Sequence, residues 1–387
     1  MVTLGRYGRT VTDDTVTDGP LKTTPLHERH LAAGAKTADF GGWDMPIEYV
    51  GVVAEHNAVR SAVGLFDVSH MGKVAIHGDG AKDFVNSVLA NDLDRIEDGQ
   101  AQYSMLLNDA GGVIDDLIVY RWGQDGIFII PNAANAATVV AALRSRAPDV
   151  IVVDDQHLTH GIIAVQGPLS SDAVSSLGFP VDHDYMSMAM TRWSDAPVVV
   201  CRTGYTGEHG YELVAPATIL GDLWDALVSA AEERGGMPAG LGARDTLRTE
   251  MGYPLHGQDI GPSITPVEAM LGWAVGWDKP QFVGKEAVSA QRAAGPSRRL
   301  RGLLALDRGI PRPHMVVRDA VDGDDPLAGA AVGEVTSGTF SPTLKQGIGL
   351  ALLDSSVAVD DEVVVDVRGR ASRFRVVKPP FVDVNTR

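Results

Sequence analysis

The sequence predicts an α+β protein that ends in a separate all-β unit, and three features of its texture carry that prediction. Through residue 292, helix-period segments alternate with β-branched runs. Ala293–Arg299 (AAGPSRR) reads as a linker from its Gly, Pro and Ser content. Beyond it, Leu303–Lys378 is made of short Val-rich runs, Glu362–Val367 and Phe374–Val377 among them, broken by Gly, Pro and Asp. Short strands with frequent turns predict a small barrel or sandwich. The 387 residues suffice for two or three domains. The expected division is a flexible tail over 1–23, a main domain over 24–292 and a β-barrel domain over 300–387.

The elements follow in order. Thr24–Arg29 (TPLHER) reads as a helix start, with Thr24 as N-cap and Pro25 in the first turn. Phe40–Pro46 (FGGWDMP) reads as a tight loop, whose Trp43 and Met45 either line a pocket or cover a core edge. Glu55–Ala62 reads as a helix carrying His56 and Arg60 on one face. In Phe66–Gly72 (FDVSHMG), Asp67, Ser69 and His70 are too close in sequence for a nucleophilic triad, so His70 is expected to be structural. Helices are expected over Ala81–Leu93 and Ala133–Arg144, and strands over Tyr103–Leu107, Gly126–Pro131, Thr159–Val165 and Val198–Thr203. In the strand Tyr211–Val214, Glu212 faces away from Tyr211 and Leu213. Leu220–Ala231 has the clearest helical spacing, stopped by Gly235–Gly236. Gly240–Glu250 (GLGARDTLRTE) reads as a helix with Arg244 near its positive end, suited to an anion or to a structural carboxylate.

One stretch concentrates the chemistry. In Ala110–Tyr120 (AGGVIDDLIVY), Gly111 and Gly112 mark a turn and Val113–Tyr120 a strand. Alternation puts Ile114, Asp116, Ile118 and Tyr120 on one face and Asp115, Leu117 and Val119 on the other. Either both aspartates finish a hairpin and touch water, or one sits among apolar groups and needs a partner or ligand.

Composition narrows the function. Hydrophobic content is 44%, and the net charge of −17 argues against nucleic acid or an anionic membrane as partner, while leaving room for a small anion in a local basic pocket. Cys201 is the single cysteine, which excludes an internal disulfide and a cysteine metal cluster. It follows a Val run and reads as a buried thiol. No metal-ligand spacing, phosphate loop or dinucleotide fingerprint is present; Gly240 and Gly242 lack a third glycine. No apolar run is long enough to span a membrane, and Met1–Asp18 lacks a secretory apolar region, so a cytoplasmic setting is expected.

Seven segments, in order, resemble the T-protein (aminomethyltransferase) family of the glycine cleavage system. They are FGGWDMP at 40–46, FDVSHM at 66–71, the 111–120 strand, RTGYTGE at 202–208, GLGARDTL at 240–247, YPLHGQD at 253–259 and TSGTFSPTL at 336–344. The resemblance covers about Thr24 to Phe381. It implies a folate-binding core of two intertwined α/β lobes with a C-terminal β-barrel. It implies transfer of a one-carbon unit from the aminomethyl group on the lipoyl arm of the H-protein to tetrahydrofolate. The products would be 5,10-methylenetetrahydrofolate, ammonia and the dihydrolipoyl arm. Lipoylated H-protein is the implied partner, tetrahydrofolate the co-substrate, and a monomer the implied state.

Residue by residue, Asp116 matches the family's catalytic aspartate, Glu212 the glutamate that accepts from the pterin's donor edge, and Arg244 the folate-binding arginine. Tyr103, Tyr120, Asn132, Tyr205 and Tyr253 match positions lining the folate cavity. Pro131 departs from the family pattern. Arg298, Arg299 and Arg301 are candidates for a basic H-protein contact or for a solvated linker. Two other readings compete. A folate-dependent demethylase would be expected to depart from IDDLIVY and GLGARD. A non-enzymatic folate-binding relative would carry a cysteine where Gly204 stands.

Overall fold

A computed structural model describes residues 19–123, 125–321 and 325–384. The first eighteen residues of the expected tail lie outside the described residues. Two sheets and a barrel organise the rest. A five-stranded sheet runs in the spatial order Ala101–Leu107, Val113–Arg121, Gly126–Pro131, Val74–His77 and Val152–Asp155. A six-stranded sheet runs Met188–Trp193, Ala196–Cys201, Gly210–Pro216, His160–Gln166, Gly64–Asp67 and Met237–Pro238. The chain enters the six-stranded sheet at 64–67, crosses to build the five-stranded one, and returns at 160, so the two lobes are wound together.

Each sheet buries both faces. The outer face of the five-stranded sheet packs Val74, Leu117 and Val119 against Phe84, Val85, Val139 and Leu143 of the helices Ala81–Val88 and Ala136–Arg144. The outer face of the six-stranded sheet packs Val165, Val200 and Leu213 against Leu220, Leu223 and Leu227 of the helix Ala217–Glu232. The inner faces meet through Phe66, Tyr120, Phe128, Ala164, Cys201 and Val214. Apolar matter on both faces explains why these strands read as near-continuous hydrophobic runs. Six strands from Arg298–Ala305 onward close a barrel around Leu303, Val335, Leu353 and Phe374.

Several local expectations are corrected. The tight turn expected in Phe40–Pro46 is confined to Gly41–Gly42 and closes a hairpin, Lys36–Phe40 pairing with Trp43–Glu48, with Trp43 and Met45 buried in the core. The first helix is His27–Ala32, and Thr24 lies ahead of it, its hydroxyl donating to Asp67 at 2.6 Å and accepting from the Leu26 N–H at 3.2 Å in the turn before the helix. The helix expected over 81–93 ends at Val88, because Leu89 turns into extended backbone. The helix expected from Ala133 starts at Ala136, because the preceding turn is bonded through Asn132 and Asn135. The expected linker is largely structured: helix Lys285–Ala294 reaches its start, and Arg298 already belongs to the barrel, paired with Glu268 at 2.8 Å.

The Gly pair at 111–112 also divides its labour. Gly111 has φ +85°, the left-handed region, whereas a Cβ on Gly112 would stand 1.8 Å from the Pro262 carbonyl oxygen. Only the first needs conformational freedom; the second needs an absent side chain. Past this turn a register shift against Leu106–Leu107 turns Ile114 to the outer cluster, so it does not share a face with Asp116. From Asp115 onward the expected alternation holds. Leu117 and Val119 point outward, and Ile118 and Tyr120 pack inward.

Candidate active site

The strand Val113–Arg121 delivers two adjacent carboxylates to different places. Asp115 is fully buried and Asp116 half-buried at the inner face. Hydrogen bonds organise both. The Asn132 backbone N–H donates to Asp115 Oδ2 at 3.0 Å, and its side-chain amide donates to Asp115 Oδ1 at 2.9 Å and Asp116 Oδ1 at 2.8 Å. Asn135 Nδ2 donates to Asp115 Oδ1 at 2.7 Å and to His256 Nδ1 at 2.9 Å. His256 Nε2 faces the Val113 carbonyl at 3.1 Å, which assigns its proton to Nε2. The second oxygen of Asp116 accepts from the Tyr103 hydroxyl at 3.1 Å.

This setting raises the proton affinity of both carboxyls. Burial pushes Asp115 well above the usual aspartate range, and the Asp116 charge adds to the shift. Burial also raises Asp116, opposed by His256 and by the donors Tyr103 and Asn132. The Tyr103 phenol is itself held high by burial and by Asp116, so it stays a donor. Its ring stacks on Trp273 at 5.5 Å, and Trp273 is 65% exposed.

A second group stands on the six-stranded sheet. Glu212 shares the inner face with Cys201 and Ala164 through its register. Thr203 Oγ1 donates to Glu212 Oε2 at 2.6 Å, and the Tyr120 hydroxyl lies 3.0 Å from the same Thr203 oxygen. Because the Thr203 proton is committed to a carboxylate, Tyr120 donates to Thr203. Glu212 Oε1 makes no hydrogen bond among the described residues.

Arg244 completes this group from the helix Leu241–Met251. That helix starts at Gly240, whose N–H donates to Glu55 Oε2 at 2.8 Å and whose missing Cβ would meet the Ile47 backbone at 2.2 Å. The guanidinium lies 4.9 Å over the Tyr205 ring, and its Nη1 is buried with no partner. Burial lowers its proton affinity, while Glu212 and Tyr205 restore it. His70, nearby, is driven down to about 3 by burial, with Arg244 and Lys73 contributing, and is therefore neutral; its Nδ1 is also buried without a partner.

Tyr205 links the two groups. Its hydroxyl donates to the Pro254 carbonyl at 2.5 Å, its ring stacks on Tyr253 at 5.8 Å, and its proton affinity responds to both Asp116 and Arg244. The expected site residues thus fall into two sets, Tyr103, Asp116 and Asn132 on one sheet and Glu212 and Arg244 opposite, with Tyr205 and Tyr253 beside them. Tyr120 differs, since its ring is fully buried and it reaches Glu212 only through Thr203. Sequence reasoning assigned no role to Thr203, Asn135, His256 or Trp273. The first lies inside RTGYTGE and the third inside YPLHGQD, so the motifs held them without showing which side chains turn inward. Arg248, one turn from Arg244, points elsewhere, bonded to Asp245, Asp259 and Ser337.

Chemically, the inner face offers a carboxylate oxygen within electrostatic reach of a desolvated guanidinium, and a second carboxylate of raised proton affinity beyond Tyr205. That set suits a flat ligand carrying both donors and acceptors.

Comparison with known proteins gives a consistent result. A family model described as the GCVT N-terminal domain matches residues 26–279, and one described as the glycine cleavage T-protein C-terminal barrel domain matches residues 298–383. The aminomethyltransferase of Parafrankia sp. (strain EAN1pec) is 58% identical over 371 residues, 95% of this chain and 100% of that relative. The aminomethyltransferase of Mycobacterium avium (strain 104) is 55% identical over 365 residues, 94% of this chain and 97% of that relative. The crystal structure of glycine cleavage system aminomethyltransferase T from Bartonella henselae superposes with a TM-score of 0.86 at 35% identity, covering 94% of this chain and 98% of that one.

Proposed function

The chain belongs to the glycine cleavage T-protein family, the aminomethyltransferases, and on that premise we propose that the cavity between its two sheets binds tetrahydrofolate and carries out one-carbon transfer at Asp116. It is an aminomethyltransferase of the glycine cleavage system. The reaction moves the one-carbon unit of an aminomethyl group from the dihydrolipoyl arm of H-protein to tetrahydrofolate. It yields 5,10-methylenetetrahydrofolate, ammonia and dihydrolipoyl H-protein.

The observation that carries the site assignment is the Glu212–Arg244 pair. A half-buried carboxylate with one uncommitted oxygen acts electrostatically on a guanidinium whose buried Nη1 lacks a partner. A pterin's amino and ring N–H groups suit the carboxylate, and its carbonyl suits the guanidinium. Bound tetrahydrofolate supplies the nitrogens that accept the carbon. Tyr205 and Tyr253 flank it, and Thr203, steadied by Tyr120, keeps Glu212 in register. Asp116 is the base and electrostatic partner. Its oxygens are pinned by Tyr103 and Asn132, so its position is set before substrate arrives. Burial raises its proton affinity toward the working pH, as general base catalysis requires. Asp115 and Asn135 fix Asn132 and act as positioning residues.

Lipoylated H-protein is the partner that brings the second substrate. The protein works as a monomer in the cytoplasm; no helix among the described residues is long and apolar enough to cross a membrane. Arg298 is engaged with Glu268 and the Ser263 carbonyl, which takes it out of the candidate basic contacts for H-protein. The test is tetrahydrofolate-dependent release of ammonia from aminomethylated H-protein by the purified chain. Release that stops when folate is omitted is expected. No release with folate binding intact would overturn the reading, and methylated amines would then be the substrates to assay.

A further inference from the structure

A cavity of about 470 Å³ opens beside the six-stranded sheet, lined by His183, Asp184, Tyr185 and Arg202. Strand register separates it from the folate site. Cys201, Glu212 and Ala164 are direct partners and face inward. Arg202 and Tyr211 therefore face outward, and Tyr211 belongs to the outer core. The Arg202 guanidinium lies 5.3 Å over the Tyr211 ring, and the residue is only 5% exposed.

Arg202 makes no side-chain hydrogen bond or ion pair among the described residues. A ring covers one face of a guanidinium and leaves its in-plane N–H donors open to an acceptor in the pocket. Charges buried to this degree are ordinarily paired. His183 adds a deficiency of its own. Both its ring nitrogens are buried without a partner, the Val200 backbone being near but outside hydrogen-bond geometry. Its ring is 5.8 Å from that of Tyr211, and His209 stands 5.4 Å from the same ring, bonded to Ser170. Burial, with the Arg202 charge added, disfavours protonation of both histidines, so Arg202 is the cation of this lining. Asp182 and Asp184, both exposed, are the opposing charges at its rim.

We propose that this cavity is a binding site for a small carboxylate or phosphate anion, held by Arg202 with His183 as second donor, on the sheet face opposite Glu212. Guanidinium binds both anion types in a two-pronged geometry. The volume exceeds that of an inorganic ion, so an anion on a short organic stem fits. Asp184 weakens the site by like-charge repulsion. The proposal is independent of the folate reading.

The full chain is titrated by calorimetry and by thermal shift with inorganic phosphate and, separately, with glutarate, in a zwitterionic buffer. Saturable binding of at least one probe is expected, and the probe preferred identifies the anion class. Arg202→Gln should weaken it by at least about ten-fold, and Asp184→Asn should tighten it by about three- to ten-fold. Folate affinity should be unchanged by either probe. Absence of saturable binding up to tens of millimolar, undiminished binding in Arg202→Gln, or competition with folate would overturn the proposal. If Arg202→Gln does not fold, unchanged anion affinity in both Asp184→Asn and His183→Phe would overturn it instead.

Discussion

At the scale of single residues, the site depends on how firmly Asp116 is held. Tyr103 and Asn132 each commit a donor to it, and Asn132 is itself fixed by Asp115. Asp116→Asn keeps the shape and removes the charge. It should lower kcat about 10²- to 10⁴-fold with folate affinity nearly intact, whereas Glu212→Gln should raise the folate KM with a smaller change in kcat. Steady-state kinetics on both variants check this split, and equal effects on both parameters would refute it. Because burial raises the Asp116 carboxyl, the acid limb of kcat should lie above the ordinary aspartate value, activity falling as pH falls through it. A limb at or below that value in the pH–rate profile would contradict the assigned environment. Trp273 is exposed but stacked on Tyr103, so it reaches Asp116 through one ring. Trp273→Ala should cost about three- to ten-fold in kcat/KM and little in stability, read by kinetics beside a thermal melt.

At the scale of elements, the helix Leu241–Met251 carries the organisation. Its entry is held by Glu55, which accepts from Gly240 and also from Tyr49, Val50 and Gly51. This close approach to Ile47 sets where Arg244 projects one turn later. Gly240→Ala places a Cβ against backbone that cannot rotate away. It should cost about 1–3 kcal/mol in urea unfolding and raise the folate KM, because helix and Arg244 shift together. A stable variant with unaltered KM would show that the contact does not position Arg244.

At the scale of the molecule, the same helix joins the core to the barrel. Glu250 is fully buried and accepts from Arg60 at 2.8 Å, from Ser341 at 2.5 Å and from Thr343 at 3.0 Å, with His56 Nε2 at 3.4 Å. Arg248 binds Asp259 and Ser337 in parallel. Burial alone would raise the Glu250 carboxyl, but His56, Ser341 and Arg60 outweigh it and hold it at about 2. A carboxylate depressed on folding adds stability at pH above its unfolded value, near 4.5, and loses it as pH falls toward 2. Acid unfolding should therefore begin below about pH 4.5. Glu250→Gln should lower stability by about 3 kcal/mol at neutral pH and flatten the dependence on pH below that point, measured by denaturant melts across pH. A variant as stable as the parent would place the joint elsewhere.

Much of this was legible in the residues. Period-2 and period-3.6 spacing marked the strands and helices of the core, because burial of one face imposes that period directly on the chain. The change of texture after residue 293 announced a small all-β unit, barrel or sandwich. Alternation alone placed Asp116 and Tyr120 on one face and Asp115 on the other. The order of seven segments pointed to the family. Tertiary structure decided what local sequence cannot encode. Phe40–Pro46 carries turn residues, yet it pairs as a hairpin because Trp43, Met45 and Ile47 bury against Leu241, two hundred residues away. Ile114 left its expected face because a bulge is set by the partner strand. Tyr120 serves Glu212 at second hand because its ring fills the space between the sheets. Trp273, Thr203 and His256 joined the site only when chain crossings brought them there. Sequence determines which faces are apolar and which groups are chemical; the packing of one lobe against the other determines which of those groups meet.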